Sequence, residues 1–297
     1  MDAPPVQYAK TSDGVSIAYF SAGRGPAIVF ASNIWGDANM YAAPDPYTRD
    51  MTDRLVELGW RVVRYDLRGM GSSQRDVDDF SLEARVLDLQ AVVDHLSLQR
   101  FAVAGVDAGA AVAMAFAAGN RERVSHVVVL NGWAFAPESR AGGRVSNAIA
   151  SMSSLAEEDW EFFTLAIAKL VTELDDPVHT QRLAETFRRS SSAKVHQAVM
   201  RARAQTDLRP ILPALEMPVL VVHDTGFPFG SFELCQELAA SLPDARFVVI
   251  AADRDAEIDA IDTFLRGGSD EQAEPQPAGA DVSTPSGTAV ILFADIA

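Results

Sequence analysis

Over the first 130 residues, short apolar runs alternate with stretches of helical periodicity. VSIAYFSAG at 15–23 reads as a strand closed by a glycine turn, and PAIVFAS at 26–32 as a short buried strand. YTRDMTDRLVELG at 47–59 has helical spacing and a terminal glycine. The strand WRVVRYD and the loop LRGMGSS follow, then the amphipathic helix SLEARVLDLQAVVDHLSL with serine at its start. RFAVAGV, an alanine-rich helix over 108–118 and VSHVVVLNG continue the alternation. After residue 206 it resumes with MPVLVVHD, FELCQELAASL, ARFVVIA and AEIDAIDTFLRG. Strands that alternate with helices predict a mostly parallel sheet with helices on both faces.

Two stretches break this rhythm. From about 134 to 206 the strand signal vanishes and helical segments follow one another, with breaks at Pro177 and Ser190–Ser192. This predicts a helical cap inserted above the sheet. After Gly267, GGSDEQAEPQPAGADVSTPSG is rich in Pro, Gly, Ser and acids and has Val282 as its one bulky apolar residue, a disordered-linker composition. The chain is therefore expected to divide into a domain over 1–266, a linker over 267–286 and the opening strand of a further, truncated domain over 287–297.

Composition narrows the partners. Of 297 residues 48% are hydrophobic and 22% charged, and the net charge is −16. That balance fits a globular protein and argues against nucleic acid or an anionic membrane as partner. The N-terminus lacks an apolar signal core, and the alanine-rich stretch is too short to cross a bilayer. A cytoplasmic location is expected. The one cysteine, Cys235, permits no disulfide within the chain and sits in a helical pattern as a small core residue.

The candidate chemistry lies between the strand RFAVAGV and its helix, in the turn Gly105-Val106-Asp107-Ala108-Gly109. The order of strand, LRGMGSS loop, helix, strand, G-x-D-x-G turn, helix, helical insertion and two further strands resembles the α/β-hydrolase fold over about residues 7–266. The turn resembles that family's nucleophile elbow, with Asp107 where a serine is usual. The resemblance implies two ways to use it. As a nucleophile, the carboxylate would attack carbon to give an ester that a histidine-activated water then opens, as in dehalogenase-, epoxide-hydrolase- or esterase-like relatives. Otherwise Asp107 caps the helix that follows it.

The first use needs a base and an orienting acid. The family's histidine follows the last strand, where this chain has Asp253, Arg254 and Asp255. The five histidines are His95, His126, His179, His196 and His223, and of these His223 at a strand end is the nearest candidate. The family's acid position holds Phe227, and Asn131 stands at its alternative. Nucleophile, base and acid positions are thus all altered, which favours loss of hydrolysis. Asn33, Ile34, Trp35, Ala108, Trp133, His223 and Phe227 are expected to line a ligand pocket with Asp107, with Ile34 and Ala108 offering backbone N–H groups.

The ending SGTAVILFADIA is similar to the first strand of a class III adenylate/guanylate cyclase domain, in which the position of Asp295 binds the catalytic metal. That resemblance implies Mg²⁺ or Mn²⁺ only in a complete cyclase domain, a downstream cyclase in the same chain, and a homodimer. No cofactor is expected for the hydrolase-like domain itself. The expectation is a non-catalytic sensor domain for a small apolar ligand, with an active hydrolase using Asp107 as the alternative.

Overall fold

The computed structural model describes residues 4–31, 46–135, 148–149, 151–171, 177–267 and 288–291. Among these residues lie nine strands, β1 (Gln7–Lys10), β2 (Ser16–Ala22), β3 (Ala27–Ala31), β4 (Arg61–Tyr65), β5 (Phe101–Val106), β6 (Val124–Leu130), β7 (Val219–Asp224), β8 (Ala245–Ile250) and β9 (Thr288–Ile291). They form one sheet in the order β1-β2-β4-β3-β5-β6-β7-β8-β9. Strands β3 to β8 are mutually parallel where they pair, and β1, β2 and β9 join antiparallel. This is the mostly parallel sheet that the alternating pattern predicts, in the arrangement that the α/β-hydrolase resemblance implies.

Helices α1 (Pro46–Glu57), α2 (Leu82–His95), α3 (Ala108–Gly119), α8 (Phe232–Ala240) and α9 (Arg254–Leu265) cover the two faces. The central strands are apolar without alternation because both of their faces are buried. In β3, Val29 belongs to the core shared with α2, α3 and α8, whereas Ile28 and Phe30 belong to the core shared with α1 and α9. Successive side chains point to opposite faces, so one strand feeds both cores. Three helix starts follow polar caps: Ser81 accepts from the Ala84 N–H, Ser231 from Leu234 and Asp253 from Ala256.

Two strands lie outside the periodic pattern. In β1 only Ala9 is buried, so no hydrophobic period marks it. Strand β9, within 287–297, pairs antiparallel with β8 from Ile250↔Thr288 to Phe247↔Ile291, extending the same sheet.

The cap leaves and rejoins the body at one point. Phe135 and Asp207 form a single antiparallel bridge, and the Leu208 N–H donates to the Ala134 carbonyl at 2.8 Å. Between them lie α4 (Leu155–Glu158), α5 (Trp160–Val171), α6 (Pro177–Ser190) and α7 (Ala193–Gln205). The cap has its own core, including Phe163, Ile167, Ala184 and Phe187. It meets the body where Val195 and Val199 pack on Leu67, Met70 and Phe80, and where the Gly71 N–H donates to the Ser190 carbonyl at 2.8 Å.

Candidate active site

Parallel strands place their C-terminal ends along one edge of the sheet, and the order reverses between β3 and β5. Ligand sites of open α/β sheets form at such reversals. Asp107 stands there, between the end of β5 and the start of α3. Its backbone has φ 47° and ψ −114°, a left-handed conformation that is costly for a residue with a Cβ. The turn is tight for a second reason. A Cβ on Gly105 would lie 2.4 Å from the Gly109 carbonyl carbon and 2.5 Å from the Ala110 nitrogen. Strand end and helix start thus touch backbone to backbone, which only glycine allows.

The side chain of Asp107 does not cap its helix, which corrects the capping expectation. The positive φ swings the Cα–Cβ bond away from the helix's own first N–H groups. Oδ1 instead accepts from the Trp133 indole Nε1–H at 2.8 Å and from the Arg203 guanidinium at 3.1 Å. Trp133 follows β6 and Arg203 sits on α7, so the elbow, the body and the cap meet at one oxygen. The Arg203 guanidinium also lies 4.9 Å from the centre of the Trp133 ring, a cation–π contact. All three side chains are largely withdrawn from solvent.

A second arginine stands nearby. Arg85, on the first turn of α2, is buried, and among the described residues its Nε donates only to its own helix at the Ser81 carbonyl, 3.4 Å away. Burial holds its pKa below the ordinary arginine value, while Tyr65, Asp88, Asp107 and Glu83 lie within electrostatic reach. Sequence reasoning missed both arginines. For Arg85 a signal existed: it occupies the stripe of α2 that also carries Leu89 and Val92, where apolar residues belong. Arg203 gave no comparable signal.

Of the expected pocket residues, Ala108 opens α3 and Trp133 binds Asp107. His223 does neither. It ends β7, with its ring edge against Phe232 at 5.7 Å, and burial pushes its pKa down. It shares the strand face of Val219 and Val221, which points to α2, α3 and α8. Phe227 lies in the turn after β7 and packs on Phe229 at 5.3 Å, which in turn touches the cap core. Asn33, Ile34, Trp35 and Asp295 lie outside the described residues.

Three of the other histidines serve packing. His95 meets Tyr19 at 5.7 Å and His126 meets Phe264 at 5.2 Å. His196 sits inside the cap between Trp160 and Phe163, where burial pushes its pKa down to about 4. His179 lies on α6. Neither hydrogen bond to the Asp107 carboxylate comes from a histidine.

The turns that would hold an acid and a base are tied to each other. Asp224 Oδ1 accepts from the Gly226 N–H at 2.9 Å and from the Ala252 N–H at 3.0 Å, joining the turn after β7 to the turn after β8. The Asp224 N–H donates to Asn131 Oδ1 at 3.0 Å. Only residues 251–253 separate β8 from α9, and Asp253 caps that helix. Cys235 lies behind the elbow and donates to the Gly132 carbonyl at 3.3 Å; burial pushes its thiol up to about 12. Among the described residues no group of three or more His, Cys, Asp or Glu side chains could hold a metal ion. Among them, too, no helix is long and apolar enough to cross a membrane.

Comparison with known proteins places this geometry. The family profile described as alpha/beta hydrolase fold matches residues 36–255. A 3-oxoadipate enol-lactonase from Acinetobacter baylyi is 25% identical over 243 residues, covering 78% of this chain and 85% of that protein. A soluble epoxide hydrolase from a Corynebacterium species is 28% identical over 121 residues, 40% of this chain and 39% of that one. In structure, an esterase from Exiguobacterium antarcticum superposes with a TM-score of 0.75 at 17% identity, covering 88% of this chain and 99% of the esterase.

Proposed function

The chain belongs to the α/β-hydrolase fold family, and from that premise we propose that it binds a small molecule at the elbow without hydrolysing it. One observation carries this reading: the carboxylate at the nucleophile position is engaged by Trp133 and Arg203. Both bonds fall on Oδ1, so the stronger point against a nucleophile is the base: the ester it forms needs a histidine to activate water, and neither bond to this carboxylate comes from one. Here the cap's own arginine neutralises the carboxylate. The three residues between β8 and α9 contain no histidine, and Asp224 is spent on holding the two turns together.

A cap that reaches the elbow through Arg203 also offers a physical means of sensing. A ligand that displaces or joins the Arg203–Asp107 pair favours one cap position over another, and differential affinity of that kind is what shifts a population. The resemblance of 287–297 to a cyclase strand makes a class III cyclase the candidate for what is regulated.

A second reading is an active hydrolase with Asp107 as nucleophile. It is favoured by the retained strain of the elbow, φ 47°, which aims the side chain upward from the sheet, and by the enzymatic relatives. Turnover of aryl esters, enol-lactones, epoxides and haloalkanes by the full chain and by Asp107→Ala separates the two. Equal, negligible rates are expected. Activity that the substitution abolishes would establish the hydrolase instead.

A further inference from the structure

At the elbow the protein holds a cation of its own. The Arg203 guanidinium donates to Asp107 Oδ1 at 3.1 Å, and its central carbon lies 4.9 Å from the centre of the Trp133 ring. Trp133 donates its indole N–H to the same oxygen at 2.8 Å. A carboxylate beside an aromatic face is an arrangement that recognises organic cations. Arg203 fills it incompletely. One guanidinium nitrogen reaches the carboxylate, and among the described residues Oδ2 of Asp107 accepts no hydrogen bond. A guanidinium free of the helix can turn its planar fork to both oxygens at once. The Asp107 side chain keeps 16% of its surface exposed, so the carboxylate is reached from outside.

The two partners differ in their freedom to move. Asp107 has a short side chain on a turn fixed at φ 47°, whereas Arg203 hangs from the last cap helix on a long aliphatic stem. An anion arriving at the pair would draw Arg203 away and leave Asp107 largely desolvated without a partner, which is costly. A cation that replaces Arg203 keeps Asp107 paired and lets the arginine swing out to water. Arg85, within electrostatic reach of Asp107, opposes any cation there, but it opposes Arg203 in the same way. We propose that the elbow takes a small organic guanidinium or amidinium, which displaces Arg203 from Asp107 and lies against Trp133. Arg203 is then the site's internal competitor, and its release removes one tie between cap and elbow. This inference rests on the small-molecule reading above and names the chemistry of its ligand.

The test is titration calorimetry on the full 297-residue chain with propylguanidinium and benzamidine, their neutral counterparts propylurea and benzamide, and the anions butyrate and benzoate. The cations are expected to bind the parent more tightly than the other probes do. Arg203→Met removes the competitor, so each cation should bind this variant at least about tenfold more tightly than the parent, the ratio that 1.4 kcal/mol represents. Cation binding confined to the variant is the same competition in a stronger form. Asp107→Asn should abolish the preference for cations. An arginine that only braces the cap would leave cation binding unchanged or weaker once substituted. Benzamidine should also raise the melting temperature of Arg203→Met by more than the parent's, and should not raise that of Arg203→Met combined with Asp107→Asn. If Arg203→Met does not fold, Arg203→Gln replaces it in both measurements. Neutral or anionic probes binding as tightly as the cations, or cation affinity that does not rise in the Arg203 variant while any probe binds, overturns the inference and leaves small-molecule binding standing. Binding of no probe by the parent or by either single variant overturns both readings.

Discussion

Arg203 and Asp107, 96 residues apart in the chain, form an ion pair of 3.1 Å that joins the last cap helix to the elbow. Removing one partner leaves the other charge largely desolvated, which costs about 3–5 kcal/mol for a buried pair. Side-chain exposures of 10% and 16% place this pair at or below the lower end of that range. Arg203→Met is therefore expected to destabilise the protein by about 2–3 kcal/mol in urea unfolding. Combined with Asp107→Asn, it should show a coupling of at least about 1 kcal/mol. Additive effects of the two substitutions would mean that the pair does not hold the cap.

Gly105→Ala tests the close approach behind the elbow. The added methyl meets backbone atoms at 2.4 and 2.5 Å, and none of these is a flexible side-chain end that could swing aside. Overpacking of this kind costs about 1–3 kcal/mol, and the upper part of that range is expected here. Chemical denaturation reads it directly. A loss below about 0.5 kcal/mol would show that strand and helix separate easily.

His196 makes stability depend on acid. Its folded pKa of about 4 lies below the ordinary 6.5 because burial in the cap disfavours the charged ring. The neutral form is the one that folds, so its contribution is whole above pH 6.5 and is lost as pH falls from 6.5 toward 4. Between pH 7 and 5 the loss is about 2 kcal/mol. His196→Phe should flatten the stability profile by about that amount. Asp88 works in the opposite sense: burial pushes its carboxyl up from 3.8 to about 6, so its contribution is whole below 3.8 and fades as pH rises through 6. An unchanged slope in His196→Phe would place the acid sensitivity elsewhere.

Cys235 should be inert in the folded protein. It is fully buried, and its thiol is pushed up to about 12, so almost no thiolate exists at pH 8. A disulfide reagent such as DTNB is expected to react with it only after denaturation. Rapid modification of the native protein would mean that α8 opens readily behind the elbow.

The sequence by itself determined the layered α/β architecture, the strand and helix order, the position of the elbow and the burial of Cys235. These follow from local rules: apolar runs without alternation for doubly covered strands, helical spacing between them, and glycines flanking one polar residue at a strand end. It did not reveal β1, where Ala9 is the only buried residue and so no period exists to read. Nor did it reveal the partner of Asp107. The helix-capping expectation assumed ordinary backbone angles, whereas the turn's φ of 47° carries the side chain away from its own helix. Arg203 and Trp133 reach that oxygen from 96 and 26 residues away, through a cap whose docking is set by packing at Val195 and Val199. Arg85 was visible as a charge on an apolar stripe, but only the folded arrangement brings it within electrostatic reach of Asp107. Local pattern fixes which elements form. The charge balance of a site assembled from three distant segments depends on distances that the fold alone creates.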